Sequence, residues 1–391
     1  MNDHRPIVLC FVAYYLPGYR SGGPLRTIVN FVEHFGDEFD IRIVTTDRDV
    51  LDTSPYPDVA VDSWNTVGNA QVFYASQKVL TLRGIARLLR ETPHELLYLN
   101  SYLAVSFTTL PLLARRLGMA PRKPCVLAPR GEFSPGALQL KAAKKQLFTV
   151  VMKILRLHHG VIWQASSDFE RLDISNAMGS VAGQIMVAPN LLPKVSCEKA
   201  DAECLHDNAE SRALRMVFLS RISPMKNLDY LLTVLKKVTM RIELSIYGPL
   251  ENPEYWSMCE RLIHELPSSI VVHYRGEVNP EDVLAVFAQH DVFFFPTRGE
   301  NFGHVIFEAL SAGTCVVLSD QTPWKHDQGG ALEAIPLEDE NAWVQAVERW
   351  AASSNEELIE LRQSALSYAY NYIAKSNAVE LNRKLFYSAI Q

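Results

Sequence analysis

The 391-residue sequence lacks most of the features that would place it in a specialised class. It has six cysteines, Cys10, Cys125, Cys197, Cys204, Cys259 and Cys315, and no C-x-x-C pair among them. Scattered thiols of this kind suit a reducing compartment and argue against a disulfide framework. Cys197 and Cys204 lie close together, but no histidine pair at ligand spacing accompanies them, so a zinc site is not expected. No apolar run approaches about 18 residues, and a transmembrane helix is therefore not expected either. The apolar stretch at 7–16 meets Pro17-Gly18 without a small-residue cleavage site, and no net positive charge precedes it. It reads as a first buried strand rather than a signal peptide. The dinucleotide fingerprint G-x-G-x-x-G is missing too. These absences leave a cytoplasmic globular protein as the expectation.

The length exceeds the usual single-domain range of about 100–200 residues, and 48% hydrophobic with 21% charged residues is enzyme-like. Short apolar runs at 7–14, 41–45, 71–74, 96–99, 126–128 and 161–165 alternate with helical patterns, notably at 25–35 and 79–90. The pattern resumes with strands expected at 216–219, 242–247, 270–274, 291–296 and 315–318. Such alternation predicts parallel sheets covered by helices. A polar, Asp/Glu/Ser-rich stretch at 194–212 interrupts it and marks the domain junction.

The net charge of −6 conceals an asymmetry. Between Pro111 and Gly160 stand ten Lys and Arg against one acid, Glu132, so that window is +9 and the remainder −15. Within it, 140–158 reads as a basic amphipathic helix (138–158 at its widest), with Leu140, Leu147, Val151 and Ile154 expected to cover a core. Helices of this type lie on anionic membranes or face anionic ligands, although a solvated face is also consistent. Nucleic acid is not an expected partner.

The densest chemical signal is Gly299-Glu300-Asn301-Phe302-Gly303-His304-Val305-Ile306-Phe307-Glu308. Seven residues separate its two carboxylates across a predicted strand-to-helix turn. Glu308 is an isolated charge in an apolar helix and is costly to bury unless a partner satisfies it. Eight helical steps of about 1.5 Å span roughly 10–12 Å. That is wide for a glycosidase pair at about 5–10 Å, but it suits a ligand with two hydroxyl-rich ends, such as a nucleotide sugar. About eighty residues upstream, a strand ending at Arg221 leads through Ile222-Ser223-Pro224-Met225-Lys226-Asn227 into a helix. That helix carries Leu228, Leu231, Leu232, Leu235 and Val238 at helical spacing. In the amino-terminal half, Tyr15 to Pro24 forms a glycine loop with Gly22 and Gly23 at a helix start, where backbone amides can approach an anion.

Glu300 with Glu308 resembles the E-x7-E signature of retaining family-4 type glycosyltransferases ("glycosyl transferases group 1"), and Arg221 with Lys226 resembles their R-x4-K element. The resemblance implies a GT-B fold, two Rossmann-like parallel-sheet domains facing a central cleft, over essentially the whole chain. The expected parts are an acceptor-side domain at 1–195, a nucleotide-sugar domain at 213–366, and a segment at 367–391 crossing back to the first. It implies Arg221 and Lys226 as a clamp on the donor diphosphate, Glu300 on donor-sugar hydroxyls and Glu308 on the ribose. Gly22, Gly23, Asn301, Phe302, Gly303 and His304 complete the donor set, with Glu300, Arg221 and Lys226 as the catalytic group. No cofactor is implied, since the nucleotide-diphosphate sugar is a co-substrate, and no metal. Asp47-Arg48-Asp49 looks like a D-x-D metal motif, but an Asp-rich turn after a strand is ordinary.

One position departs from the family pattern. Many members carry a histidine where this chain has Arg130, in Ala128-Pro129-Arg130-Gly131-Glu132. An always-charged guanidinium cannot act as a general base, which leaves Arg130 as an acceptor-side or phosphate-binding candidate. Glu170 matches another recurrent family acid, read as structural. The expected activity is transfer of a sugar to a glycan or lipid-linked acceptor in surface polysaccharide (lipopolysaccharide-type) biosynthesis, possible at the inner face of a membrane. The alternatives are a nucleotide-sugar 2-epimerase of the same fold and a non-catalytic sugar-nucleotide-binding subunit.

Overall fold

The computed structural model describes residues 5–134, 142–194 and 213–391. The chain forms two compact units, the first comprising residues up to Lys194 together with Asn377–Gln391, the second ending at Ser376.

The first unit is built on eight strands: β1 (Ile7–Phe11), β2 (Asp40–Thr46), β3 (Trp64–Val67), β4 (Ala70–Ala75), β5 (Leu96–Asn100), β6 (Cys125–Ala128), β7 (Val161–Ala165) and β8 (Ile185–Val187). Their order is β3-β4-β2-β1-β5-β6-β7-β8, parallel except for β3, which pairs antiparallel with β4. Alternate side chains serve the two faces of the sheet, as strand geometry requires. Leu9 and Phe11 enter a core with Ile85, Leu89, Leu112 and Ile174. Val8 and Cys10 enter a second core with Ile28, Phe31, Leu385 and Phe386. The covering helices are α1 (Gly23–Phe35), α2 (Leu82–Glu91), α3 (Leu110–Arg116), α4 (Ala142–Ile154) and α5 (Asp168–Met178).

The second unit has six parallel strands: β9 (Leu214–Leu219), β10 (Ile242–Tyr247), β11 (Ile270–Gly276), β12 (Val292–Phe295), β13 (Cys315–Ser319) and β14 (Leu332–Ile335). The order is β11-β10-β9-β12-β13-β14. Its helices are α6 (Leu228–Leu235), α7 (Pro253–His264), α8 (Val283–Ala288), α9 (His304–Ser311), α10 (Glu340–Ala352) and α11 (Asn355–Lys375). The leucine stripe read from the sequence is inside: Leu228, Leu231, Leu232, Leu235 and Val238 are all fully buried. The last helix, α12 (Ala378–Ile390), belongs to the first unit.

Three expectations need correction. The segment 367–391 does not act as one piece. The chain breaks at Ser376-Asn377, leaving α11 in the second unit, where Ala365 and Ala369 are buried, and only α12 packs against the first sheet. β3, β8 and β14 were not expected, because each is only three or four residues long, too short for a period to be read from the sequence. Third, the expected apolar side of the basic helix does not cover a core. Leu147, Val151 and Ile154 are 67%, 44% and 73% exposed, while Met152 is buried and Phe148 packs beside it. Apolar residues occupy more of this helix than one sheet-facing stripe can hold. The Phe148–Met152 stripe reaches the sheet and the other faces water. Leu140 and Lys141 lie outside the described residues.

Candidate active site

In the second unit the strand order reverses between β9 and β12, where β10 and β11 lie to one side and β13 and β14 to the other. A crevice opens at such a switch point beyond the carboxyl ends of the strands, and ligands of open α/β sheets bind there. The loops leaving β9 and β12 are the ones that carry the two sequence motifs.

Those loops are stitched together by their backbones. Arg298 N–H donates to Met225 O at 2.9 Å, and Thr297 Oγ1 donates to the same carbonyl at 3.2 Å. Asn227, in a left-handed conformation at φ 63°, donates from Nδ2 to Pro296 O at 2.9 Å and accepts from Arg298 Nε at 3.0 Å. Lys226 and Glu300, 74 residues apart, are thereby brought into direct contact through Nζ and Oε1, each side chain only 12% exposed. Arg221 is placed differently. Its Nη1 pairs with Glu251 Oε1 at 3.0 Å, both side chains about 40% exposed. Glu251 sits beyond β10, whose loop approaches so closely that a Cβ on Gly248 would lie 1.9 Å from Ser220 O.

After Glu300 the chain turns into α9 through Gly303, at φ 77°. The left-handed turn favours glycine, and a Cβ there would also press on the tip of Ile306, with Cδ1 at 2.7 Å. No side chain caps the α9 amino terminus, which leaves its partial positive charge facing the loop that carries Glu300 and Asn301. Phe302 and His304 are buried, with ring centroids 4.9 Å apart. Glu308 is half-buried one face along α9. Trp324 Nε1–H donates to Phe302 O, and the indole stacks on Tyr372 with centroids 4.8 Å apart. Glu251 and Trp324 were missed by sequence reasoning. Neither has a spacing signal, since each is recruited by a loop meeting another loop.

In the first unit, Gly22 (φ 71°) precedes α1 with no side-chain cap, and Pro24 occupies its first turn. Asp49 Oδ2 accepts from Tyr19 N–H at 2.8 Å and Arg20 N–H at 3.2 Å, fixing the glycine loop. Asp47 pairs with Arg48 Nε at 2.8 Å. The Asp47-Arg48-Asp49 turn thus serves loop structure, and no group of three or more metal-ligand side chains occurs among the described residues.

Arg130, at φ 58°, is turned inward. Its Nη1 donates to Asn190 Oδ1 at 2.6 Å, its Nη2 to Asn100 Oδ1 at 2.7 Å and to Tyr98 Oη, and its Nε to Asn100 at 3.2 Å. Tyr98 in turn donates to Gln164, which donates to Asn382 on α12 at 3.0 Å. The network joins β5, the β6 loop and residue 190 through all three guanidinium nitrogens, which gives Arg130 a structural part at this corner whatever it binds. Glu170 holds the same corner, accepting from Gly131 N–H at 2.6 Å and from Ser166 N–H and Oγ–H at 2.7 Å each. Its structural reading fits these contacts.

Residues 207–371 match the family model of glycosyl transferases group 1. This part of the chain is a group 1 glycosyltransferase domain. The chain is 30% identical over 215 residues to a phosphatidyl-myo-inositol mannosyltransferase of Mycolicibacterium smegmatis, covering 52% of each. It is 27% identical over 165 residues to the O-antigen chain mannosyltransferase B of Escherichia coli, covering 40% of this chain and 42% of that one. The matches thus span about half the length of these curated relatives at most. Among solved structures, Anabaena HepE in complex with UDP-glucose superposes with a TM-score of 0.68 at 15% identity, covering 98% of this chain and 99% of that one. Sucrose-phosphate synthase from Thermosynechococcus elongatus gives 0.69 at 16%, covering 98% and 100%. Both units together have the GT-B fold. The group 1 domain carries the Arg221, Lys226, Glu300 and Glu308 constellation entire.

Proposed function

We propose that the chain is a retaining glycosyltransferase that moves a hexose from a nucleotide-diphosphate sugar to a glycan or lipid-linked acceptor. The observation that carries this reading is the contact of Lys226 with Glu300 at the β9/β12 switch point, beside Arg221 and the uncapped start of α9. As the glycosidic bond breaks, the nucleoside diphosphate gains negative charge. Arg221, Lys226 and the α9 amides are fixed positive groups that stabilise it. Donor phosphate takes over Lys226, and the sugar hydroxyls then donate to the freed Glu300 carboxylate. Glu308, further along α9, holds the ribose. Asn301, Gly303 and His304 flank the donor, and the family resemblance adds Gly22 and Gly23 as donor contacts. Because fixed cations supply the positive charge, no metal or cofactor enters the reaction.

The names of the mannosyltransferase relatives support a hexosyl donor of mannose type and a role in surface glycan or glycolipid synthesis. The +9 window of the first unit supports a place at an anionic, cytoplasmic membrane surface through the basic helix. No helix among the described residues is long and apolar enough to cross a membrane.

The test is a thermal-shift screen of UDP- and GDP-sugars, followed by the anomeric configuration of the transferred sugar by NMR and the same assay in EDTA. Stabilisation by one donor class, lost in Lys226→Ala, is expected. A product of inverted configuration sinks the retaining assignment. An absolute need for a divalent cation sinks the cation-clamp mechanism.

A further inference from the structure

Two features of the first unit take no part in the donor chemistry, and they adjoin each other. The first is a cavity of about 310 Å³ at the amino-terminal ends of β6 and β7, the edge opposite Arg130 and Asn100. Arg115, Arg116, Arg122, Lys123, Arg156 and His159 line it around Leu112 and Leu157, with no carboxylate in the lining. Among the described residues, none of these five Lys and Arg makes an ion pair. Arg115 is anchored through Nη2 to Lys123 O while its Nε is buried without a partner. Five like charges around one hollow repel one another unless an anion enters.

The second feature is the outward side of α4. Leu147, Val150, Val151, Ile154 and Leu155 are 44–73% exposed and recur at three- and four-residue spacing, one continuous apolar stripe. Stripe and cavity meet at Leu155-Arg156, where Arg116 Nε–H donates to Leu155 O at 3.4 Å. Lys144 and Lys145 lie at the other end of the helix.

We propose that stripe and cavity form one docking site for an anionic phospholipid bilayer. A lipid phosphate enters the Arg115–Arg122–Lys123–Arg156 cavity, and Leu147, Val151 and Ile154 enter the headgroup–acyl boundary. Apolar surface flush with an anion pocket matches an amphiphile. The −15 carried by the rest of the chain disfavours an extended polyanion that would wrap more than this face. The inference rests on the membrane partner proposed above and deepens it. The phosphate-reading element is a cavity outside the basic helix, and apolar insertion accompanies charge.

The test is cosedimentation of the full chain with phosphatidylcholine vesicles, with and without phosphatidylglycerol, over a salt series. Arg122→Glu/Lys123→Glu alters the cavity and Leu147→Ser/Ile154→Ser the stripe. All four are exposed positions, and unchanged melting with retained donor binding shows that the variants are folded. Each basic residue near such a surface contributes about fivefold to binding. The cavity variant should therefore bind anionic vesicles at least about 20-fold more weakly. The stripe variant should lose the part of binding that survives high salt, which screens charge but not insertion. Wild-type binding by the cavity variant overturns the cavity assignment and leaves the helix reading standing. Failure of the wild-type chain to bind anionic vesicles at low salt overturns both. Protection of the cavity by free glycerol phosphate without any vesicle binding reassigns it to a soluble phosphate and overturns the lipid proposal.

Discussion

At the scale of single residues, the two cations of the donor motif keep unequal company. Arg221 is half-exposed and tied to Glu251, a pair of the type that contributes about 0–1 kcal/mol. Lys226 and Glu300 are largely buried together, so removing one strands the other. Arg221→Ala should therefore cost roughly 1.5–3 kcal/mol in kcat/KM with little change in melting temperature. Lys226→Ala should cost both, and adding Glu300→Gln should restore part of the stability but none of the activity. Urea titration of the single and double variants beside initial rates checks this. Equal stability of Lys226→Ala and wild type refutes the buried-pair assignment. A second residue-scale prediction concerns His158, buried with both ring nitrogens unpartnered and stacked on Tyr102 at 5.4 Å. Burial first, and Lys153 second, push its pKa down to about 4. A base depressed in the folded state is protonated first in the unfolded chain. Its effect is absent above about pH 6.5 and costs stability progressively as pH falls towards 4, at most about 3 kcal/mol. His158→Phe should flatten that slope between pH 7 and 5 in urea unfolding, and an unchanged slope would place the acid sensitivity elsewhere.

At the scale of elements, loops and networks decide what strands merely support. Gly303→Ala forces a Cβ against Ile306 in a left-handed turn, which costs about 1–2 kcal/mol and should swing Glu300 and Asn301 away from the α9 start. Donor affinity by titration should fall more than the melting temperature. Much of this architecture is legible in the sequence. Runs such as Phe293-Phe294-Phe295 announce buried strands, the Leu228 to Val238 stripe announces a covering helix, and the two motifs lie on loops that meet at the β9/β12 switch point. What was not legible depends on adjacency between distant segments. Glu251 reaches Arg221 because the β10 loop crosses Ser220, and Trp324 reaches Phe302 because β13 lies beside β12. The partners of Arg130 were hidden because Asn100, Tyr98 and Asn190 are 30 to 60 positions from it and converge only in the folded sheet. α4 was assigned the wrong inward face because its apolar residues cover more than one stripe, and the sheet, not the helix, selects which is buried.

At the scale of the whole molecule, the chain's last helix closes a core begun by its first strand. α12 places Leu385, Phe386 and Ala389 against Phe31, Phe35, Phe39 and Tyr98, with the Phe386 ring 4.8 Å from Phe31 and edge-on to Tyr98 at 5.0 Å. Asn382 ties it further, donating to Pro189 O at 2.7 Å and accepting from Gln164, the neighbour of the Arg130 network. Arg383 pairs with Glu38 at 2.7 Å. Leu385 and Phe386 alone bury side chains worth about 1.5–3 kcal/mol each, and the lost Gln164–Asn382 hydrogen bond adds about 0.5–1.5 kcal/mol. Their sum reaches the lower end of the whole stability of a domain, about 5–15 kcal/mol. A chain ending at Ser376 should therefore lose cooperative unfolding of the first unit and expose the Phe31–Phe39 cluster to aggregation. The six strands of the second unit share no core residue with α12 and should keep their protection. Hydrogen exchange resolved by segment distinguishes the two. Protection lost in β1, β2 and β5 but kept in β9, β12 and β13 is the expected pattern. A truncated chain that melts within a few degrees of the full one would mean that α12 is an appendage and that Arg130 is held by the first sheet alone.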